Sequence, residues 1–492
     1  MMKPENTPVI IGIGELCDRP QTLSKARDPL NLMKDVVHLA DIESKEALSK
    51  IDRLSIVNPA SWTYENLPAQ LSETLNISPS YSELAPTGGE TPVKLLHQAA
   101  DAIFQGRSEC ALIVGAEAQY SVNQAGKAGA TLPWPEKIQT PPDYLTVAQH
   151  LEPRALQLGL FFPSHVYPLY DMACGAKWGQ TPQESLLESA ELWAEYAKAA
   201  MQNPYSWNPK PWAAKDIITT TPKNRMIAWP YTKAQVANPI VNQAAALIVT
   251  SLSLAKTLGI NERQMVFIND GAYADEPRNF MRRDRFDNNA AQNAVLETFK
   301  NTKVDALELY SCFPIVPKMA KRILDTPDIA PTVTGGLSFF GAPLNNYMTH
   351  AACAMVREIR KNKRCGLLYG QGEFVTKHHA LLLSKNPTLS RSYTQANAQD
   401  TADKTRGSIP EFEPSATGKA ALESYTISFA RSGDAEHAII VAITDAGRRT
   451  LAKVDGAQTD TLAPLMDMSA NPVGQAGYLT ASKDGIPAWD FT

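Results

Sequence analysis

Residues 83–106, ELAPTGGETPVKLLHQAADAIFQG, predict the end of a strand, a Gly-Gly turn and a helix. Pro92 in the first helical turn and Gly106 at the end support the helix, since proline suits a helix start and glycine a helix end. The first amide groups of a helix are unpaired, so such a turn commonly holds a nucleophile or an anion. Here the turn contains only TGGET (87–91), without a cysteine or a serine.

Strand and helix signals alternate on both sides of this stretch. TPVIIGIGE and DRLSIVNP before it, and CALIVGAEA after it, are apolar runs of strand length. DPLNLMKDVVHLADI has apolar residues at helical spacing, with Asp28 as the expected N-cap. Alternation of this kind predicts an α/β fold with a largely parallel sheet and helices on its faces.

A second stretch of the chain repeats the first. PTVTGG precedes a helix as PTGGE does, and HAACAMVREIRKNKRCGLLYGQGE parallels HQAADAIFQGRSECALIVGAE. Both copies have a Gly turn, a helix, a break, a strand that begins at cysteine and a glycine before glutamate. The pattern predicts an internal duplication, with two similar α/β halves whose helices meet in the middle.

Changes in composition divide the chain into four parts. The first half spans 1–252 and includes an excursion, 120–240, that is rich in Pro, Trp and Tyr and suits a pocket wall. The second half spans 253–387, and the polar segment 388–412 is a predicted linker. Short strand signals in 413–492 predict an additional small β-barrel-like domain.

Composition places the protein among ordinary globular proteins. Of 492 residues, 44% are hydrophobic and 20% charged, and the net charge of −4 argues against non-specific nucleic-acid binding. The six cysteines form no CxxC pair, which favours reduced thiols over disulfides or a metal site. No signal core precedes the first strand and no apolar run is long enough for a membrane, so we expect a cytoplasmic protein.

The turn, the duplication and the excursion together resemble the thiolase superfamily over roughly residues 6–386. The resemblance implies the thiolase fold, with two βαβαβαββ halves in five layers (αβαβα), here followed by a small all-β domain. In that family the turn reads C-x-S-G, and the helix N-terminus stabilises the thiolate of its nucleophilic cysteine. Aligning Ile103 and Gly106 with the family's I-x-x-G places the cysteine position at Gly89.

The other three motifs of the superfamily are also present in altered form. LELYSCFP resembles the E-L-H-D-C-F of sterol-carrier-type thiolases, with Tyr310 in the histidine position. GGLSFFGAP resembles G-G-x-x-x-x-G-H-P, with Ala342 in the histidine position. LLYGQGE resembles C-x-G-G-G, with Leu368 in the cysteine position. The residues of thiolase chemistry are therefore replaced, whereas the glycines that shape the turns are retained.

This combination, with NNYMTHA, TKHHA and the C-terminal tail, resembles thiolase-like protein type 1. Members of that family are usually assigned by homology as acetyl-CoA acetyltransferases and have an extra C-terminal β domain. The resemblance implies CoA or acyl-CoA as substrate or ligand, with no resident cofactor. It also implies a homodimer through the sheet edge of the first half, although a monomer is equally compatible with the sequence.

Three residues are candidates for catalysis. His350 begins a helix that should face the site, either as a displaced acid-base group or as a buried, hydrogen-bonded histidine. Tyr310 could donate a hydrogen bond to a carbonyl oxygen. Cys312 is either a relocated nucleophile or, as the position after a strand favours, a core thiol.

The candidates for substrate binding come from the turns, and Glu90 and Thr91 have helix capping as their alternative role. No metal site is predicted, because adjacent histidines such as His378 and His379 point to opposite faces of a strand. The substrate-binding candidates are Gly88, Gly89, Glu90, Thr91, Gly341, Asn345 and Asn346.

Two functions are compatible with these residues. The first is a thiolase-like acyl-CoA acyltransferase family protein that acts on or binds thioesters without an acyl-cysteine intermediate. The second is a catalytically inactive CoA-binding or regulatory protein. The basic stretch GRRTLAK in the tail suggests that the β domain could contact a partner or nucleic acid. Four acidic residues nearby favour the alternative, a solvated strand edge.

Overall fold

The computed structural model describes residues 4–138, 148–387 and 397–491. The first half contains β1 (Pro8–Cys17), α1 (Pro29–Glu43), β2 (Arg53–Val57), α2 (Leu67–Leu75), β3 (Tyr81–Ala85), α3 (Thr91–Phe104), β4 (Cys110–Ala118) and α4 (Gln119–Ala128). The excursion adds α5 (Pro153–Gln157), α6 (Pro163–Lys177), α7 (Pro182–Gln202), α8 (Ala214–Ile218), β5 (Met226–Ala228) and β6 (Tyr231–Thr232).

The chain then returns to the first sheet. The next elements are β7 (Asn242–Ser251), α9 (Leu252–Thr257), β8 (Val266–Asp275), α10 (Ala290–Glu297), β9 (Ala306–Leu309), α11 (Ile315–Leu324), α12 (Tyr347–Lys361), β10 (Cys365–Gly372) and β11 (Lys377–Ser384). The C-terminal part has α13 (Gln399–Thr405), β12 (Gly418–Phe429), β13 (Ala435–Thr444), β14 (Arg449–Asp455), α14 (Thr459–Leu465), β15 (Ala476–Thr480) and β16 (Ala488–Phe491).

The two halves form one nine-stranded sheet in the order β3-β2-β4-β7-β1-β8-β11-β10-β9. A short antiparallel pairing of β1 with β8, Val9 opposite Phe267 and Ile10 opposite Val266, joins them. On either side of this junction the order is the same, since β1, β7, β4 and β2 correspond to β8, β11, β10 and β9. The predicted duplication is therefore visible as a repeated strand order.

Helices complete the five layers of the predicted thiolase fold. α1 packs on the outer face of β1, β4 and β7, while α10 and α11 pack on the second half. Between them, α3 and α12 each contact strands of both halves. Successive residues of β4 face opposite layers, so Leu112 packs in the core with α1 and Ile113 in the core with α3. The fold prediction is confirmed.

The excursion contacts more of the molecule than the sequence predicts. Its β5 pairs with β12 of the C-terminal part, with Ala228 opposite Ser428. It is also held to the second half by a buried ion pair between Asp171 on α6 and Lys318 on α11, 2.8 Å apart. Tyr231 donates a hydrogen bond to the other oxygen of Asp171, 2.5 Å away. The excursion thus connects the α/β part to the tail.

The predicted linker is partly helical. Residues 388–396 lie outside the described residues, but 399–405 form α13, which packs against α10 of the second half. Residue Phe412 then makes a bridge to Arg449 at the start of β14. The described part of this segment therefore runs from the second half to the C-terminal barrel.

The C-terminal part is a closed five-stranded barrel. β12 pairs with both β13 and β15, and the remaining pairs are β13–β14, β14–β16 and β15–β16, of which only β14–β16 is parallel. With α14 between β14 and β15, this is the arrangement of an OB-type barrel. Its interior is a separate apolar core that includes Tyr425, Ile440 and Trp489. The outward-facing Ile439, Val441 and Leu451 belong instead to the large core of the α/β part.

Arg449 fixes the barrel to the second half. Its side chain is fully buried and makes a bidentate ion pair with Glu423, at 2.6 and 2.7 Å. The same guanidinium donates to the carbonyl oxygens of Met281, at 2.8 Å, and Asp284, at 3.1 Å. One side chain therefore satisfies acceptors on both sides of the interface.

Among the helices described, none combines the length and the apolar surface that crossing a bilayer requires.

We predict that Arg449→Leu lowers the free energy of unfolding by about 3 kcal/mol or more, because it leaves a buried carboxylate and several carbonyls without their donor. Urea denaturation followed by circular dichroism measures the loss. Arg448→Leu is the matched control: Arg448 is half-exposed and lies 3.4 Å from Glu411, so it should cost less than about 1 kcal/mol. Equal losses for the two variants would contradict this account of the interface.

Candidate functional site

The turn before α3 lies at the centre of the molecule. β3 ends at Ala85, α3 begins at Thr91, and Pro92 occupies the first helical turn as predicted. The Thr91 hydroxyl donates to the carbonyl of Pro86 at 3.0 Å. Glu90 occupies the N-cap position of α3, but its side chain makes no capping hydrogen bond. The burial of its carboxyl group therefore needs another explanation.

Gly89, at the cysteine position of the family motif, has no room for a side chain. A Cβ atom built there would overlap the carbonyl oxygen of Gln371 and the hydroxyl group of Tyr310. Tyr310 is brought to this place by β9, and its amide donates to the carbonyl of Tyr369 on β10 at 3.0 Å. The phenol of Tyr310 thus occupies the volume into which a side chain at residue 89 would project.

Cys312 lies in the same buried cluster. Its Sγ is 3.6 Å from Oε1 of Gln371, and the Tyr167 hydroxyl donates to that oxygen at 3.0 Å. Burial raises the pKa of Cys312 to about 12, and the thiol is only 8% exposed. Burial also raises the pKa of Tyr310 well above that of a free phenol. At neutral pH the cluster contains an uncharged thiol and uncharged phenols.

The remaining family positions are core positions. Ala342 is buried, with its amide bonded to the carbonyl of Asn238 at 2.9 Å. A Cβ on neighbouring Gly341, where φ is +121°, would lie 2.6 Å from Oε1 of Gln243. Leu368 is fully buried within β10.

The two predicted asparagines differ in their contacts. Asn345 accepts a hydrogen bond from the amide of Gly88 at 3.2 Å and donates to the carbonyl of Asn58 at 3.1 Å. It therefore connects the second half to the turn. The amide of Asn346 is buried against Gly115 and finds no hydrogen-bond partner among the described residues.

His350 is held away from solvent. Its Nδ1 lies 2.7 Å from Oε1 of Glu15 on β1, and Arg357 binds the other oxygen of the same carboxylate. The imidazole is fully buried, and its Nε2 has no partner among the described residues. Of the two roles that the sequence leaves open for His350, the placement favours the buried, hydrogen-bonded one.

Glu308 organises the second and third motifs. Its Oε2 accepts hydrogen bonds from the amides of Val333 and Thr334 and from the Thr332 hydroxyl, at 2.8–3.1 Å. Its Oε1 accepts from the Tyr347 hydroxyl at 2.7 Å. Burial raises the pKa of Glu308 to about 6. This carboxyl group positions the glycine turn.

Glu90 is the acidic group beside Gly89. Its carboxyl lies so close to Gly88 and Gly372 that a Cβ on either residue would overlap it. The side chain is 7% exposed, and Oε2 has no hydrogen-bond partner among the described residues. Burial raises the pKa of Glu90 to about 7, although the nearby Lys377 acts in the opposite direction. A carboxyl in this state can accept or release a proton near neutral pH.

In the described ranges, His, Cys, Asp and Glu side chains form no group that could bind a metal ion.

We expect Gly89→Ala to lower the free energy of unfolding by about 1–3 kcal/mol, because the added methyl overlaps a backbone carbonyl and a buried phenol. Gly126→Ala in α4 provides the control: a Cβ there meets nothing within 4 Å, so the change should be neutral or stabilise by up to about 1 kcal/mol. Thermal and urea denaturation of both variants test this. A Gly89→Ala protein as stable as wild type would mean that the site is open.

Glu90 should make stability depend on pH. Because its pKa is raised in the folded state, the contribution is fully present below about pH 4.5 and is lost as pH rises through about 7. Relative to Glu90→Gln, wild type should therefore lose up to about 3 kcal/mol between pH 5 and 8. Urea titrations of both proteins across this range measure the difference. A constant difference would show that Glu90 titrates normally.

A comparison with family models matches residues 402–484 to the thiolase-like protein type 1 additional C-terminal domain. Among solved structures, a monomeric SCP2-thiolase like protein type 1 from Mycobacterium smegmatis is similar over 99% of this chain and 100% of its own, with 24% identity and a TM-score of 0.81. These findings confirm the predicted resemblance.

Two other structures share the α/β part. The Ltp2-ChsH2(DUF35) aldolase has 16% identity and a TM-score of 0.59, over 78% of this chain and 99% of its own. Human mitochondrial 3-ketoacyl-CoA thiolase has 13% identity and a TM-score of 0.56, over 78% of this chain and 100% of its own. A search of curated proteins found no match. At these identities the similarity shows the thiolase fold.

Proposed function

We propose that this thiolase-fold protein, with its type 1 C-terminal domain, binds acyl-CoA thioesters and acts on them without an acyl-cysteine intermediate. The observation that carries the proposal is the volume at Gly89. Tyr310 and the Gln371 carbonyl fill it, so the turn has no space for a cysteine side chain. The nearby Cys312 is a buried thiol whose pKa, about 12, disfavours the thiolate.

Chemistry without a covalent intermediate needs a proton acceptor and stabilisation of developing negative charge. Glu90 supplies a carboxyl whose pKa, raised by burial to about 7, suits proton transfer. The positive end of α3, a helix of 14 residues, favours negative charge at the turn. The aldolase named above has the same fold, which makes carbon–carbon bond chemistry at an acyl thioester a reasonable reaction class.

The second candidate function is a CoA-binding protein without catalysis. The burial of Tyr310, Ala342 and Leu368 favours it, because these positions face the core. Contact with nucleic acid through the barrel has less support. OB-type barrels bind oligonucleotides on the face of their second and third strands, and here Ile439 and Leu451 of that face pack in the α/β core.

The proposal keeps two further expectations from the sequence. We place the protein in the cytoplasm, where its six free cysteines would stay reduced. Association of two copies through β3 also remains a proposal: β3 is the terminal strand of the nine-stranded sheet and pairs with β2.

Calorimetry with acetyl-CoA and CoA, followed by mass spectrometry of the protein after incubation with radiolabelled acetyl-CoA, tests the proposal. We expect saturable binding and no thioester-linked label. Label on a cysteine would refute the mechanism, and absence of binding would refute the function. Binding without turnover of a panel of thioesters would select the second candidate.

A further inference from the structure

A cavity of about 700 Å³ lies beside α3, on the side of the first half's terminal strand. Its walls come from β2, β3, α3, β8 and β11. Glu90, at the start of α3, is the most deeply buried of its acidic groups, while Lys94 and Arg107 along the same side are exposed. The cavity therefore runs from a rim that carries both cations and carboxylates, Asp275 among them, to the buried carboxyl of Glu90.

Two aromatic rings are exposed at this cavity. Tyr81 on β3 is 43% exposed, and the Arg53 guanidinium stacks on its ring at 3.8 Å. Tyr273 on β8 is 40% exposed and stacks on the buried His379, with ring centroids 5.5 Å apart. Exposed aromatic faces next to cations suit a planar, uncharged ring linked to an anionic group.

Two histidines form part of the inner wall, beside Lys377 and Glu90. Nδ1 of His97 on α3 lies 2.8 Å from Nε2 of His379 on β11, so one imidazole donates to the other. Burial lowers the pKa of His97 to about 4 and that of His379 well below its usual value. Neutral imidazoles and a carboxyl suit the amide groups of a flexible chain better than they suit a second charge.

Most of the cations at the cavity already have a carboxylate partner, and one does not. Arg53 pairs with Glu83 and Arg107 with Asp101, but Lys94 makes no ion pair with another described residue. At the other end, the unpartnered oxygen of Glu90 belongs to a carboxyl held between Gly88 and Gly372. The cavity thus combines an available cation at its rim with an available proton acceptor inside.

We propose that acyl-CoA enters through this cavity, with its phosphates at Lys94 and Arg107, its adenine against Tyr81 or Tyr273, and its thioester at Glu90. The inference rests on the proposed function and adds the entrance, the binding groups and the base. The ligand reaches the turn from the β3 side, and the filled volume at Gly89 plays no part in binding.

The reaction at the inner end is a proton transfer. The Glu90 carboxylate takes a proton from the α-carbon of the thioester, so the C–H bond breaks and an O–H bond forms on Glu90. The electron pair of the broken bond forms the C=C bond of the enolate, and the carbonyl π electrons move to oxygen. The negative charge thus moves from Glu90 to the enolate oxygen, and Lys377, which acts electrostatically on Glu90, lies near enough to favour it in either place. Return of the proton restores the thioester.

Deuterium exchange tests this step directly. The full-length protein is mixed with acetyl-CoA in D₂O, and loss of the methyl proton signal is followed by NMR. Wild type should exchange these protons faster than buffer, and Glu90→Gln should be slower by about 100-fold or more. Glu117→Gln is the control, since Glu117 is buried, has its pKa raised by burial to about 7 and bonds the amides of Ala60 and Ser61 away from the cavity.

A Glu90→Gln protein that exchanges at the wild-type rate would overturn the role of Glu90, as would wild type that exchanges no faster than buffer. Circular dichroism and retained CoA binding by Glu90→Gln establish that this variant is folded. If Glu117→Gln lowers the exchange rate as much as Glu90→Gln does, the proposal is also wrong, because the effect would then be general to buried carboxyl groups.

Binding variants test the entrance separately. Calorimetry should show that Lys94→Glu and the double variant Tyr81→Ala/Tyr273→Ala each raise the Kd for CoA about tenfold or more. Lys198→Glu, a charge reversal on exposed α7, should leave the Kd unchanged. If wild type binds CoA and the cavity variants bind it equally well, the entrance is wrong while the proposed function stands. If wild type does not bind CoA, both fail.

Discussion

The close approach of the turn at Gly89 to the strand β10 constrains the rest of the site. The backbone of Gly89 lies against the Gln371 carbonyl and the Tyr310 phenol, so any side chain at residue 89 would overlap both groups. The same proximity places the Glu90 carboxyl between Gly88 and Gly372. The reactivity that we propose therefore lies one residue further along the chain, at Glu90, which lines the cavity beside α3.

Polar groups hold the two halves in this arrangement, and they do so inside the core. Asn345 bonds the amide of Gly88, and Glu308 accepts hydrogen bonds from both the turn before Gly335 and the Tyr347 hydroxyl. Burying carboxyl groups is unfavourable unless they are hydrogen-bonded. Glu308 has several donors, whereas Glu90 has an oxygen with none among the described residues. That difference separates a structural carboxyl group from one that is available to a ligand.

The sequence predicts the architecture well because its evidence is local. Glycine turns, capping residues and repeated strand–helix units indicate the duplicated halves, and the short strands of the tail indicate the barrel. The contact of Gly89 with Tyr310 joins two motifs from different halves, and the partner of His350 is Glu15 on the first strand. The walls of the cavity combine β2, β3 and α3 of the first half with β8 and β11 of the second. Local patterns do not encode such distances, so these features required the structure.

One signal in the sequence does point to the closed site. Relative to the family motifs, residue 89 has lost a side chain and residue 310 has become larger, from histidine or asparagine to tyrosine. Each substitution taken alone indicates only that a catalytic side chain of the family is absent. Taken together, they conserve the volume of a packed core, where a void and an overlap are both destabilising. The replacement of thiolase residues thus produces a repacked centre with a phenol where a thiol would be. The proton transfer that we propose at Glu90 does not depend on the missing thiol.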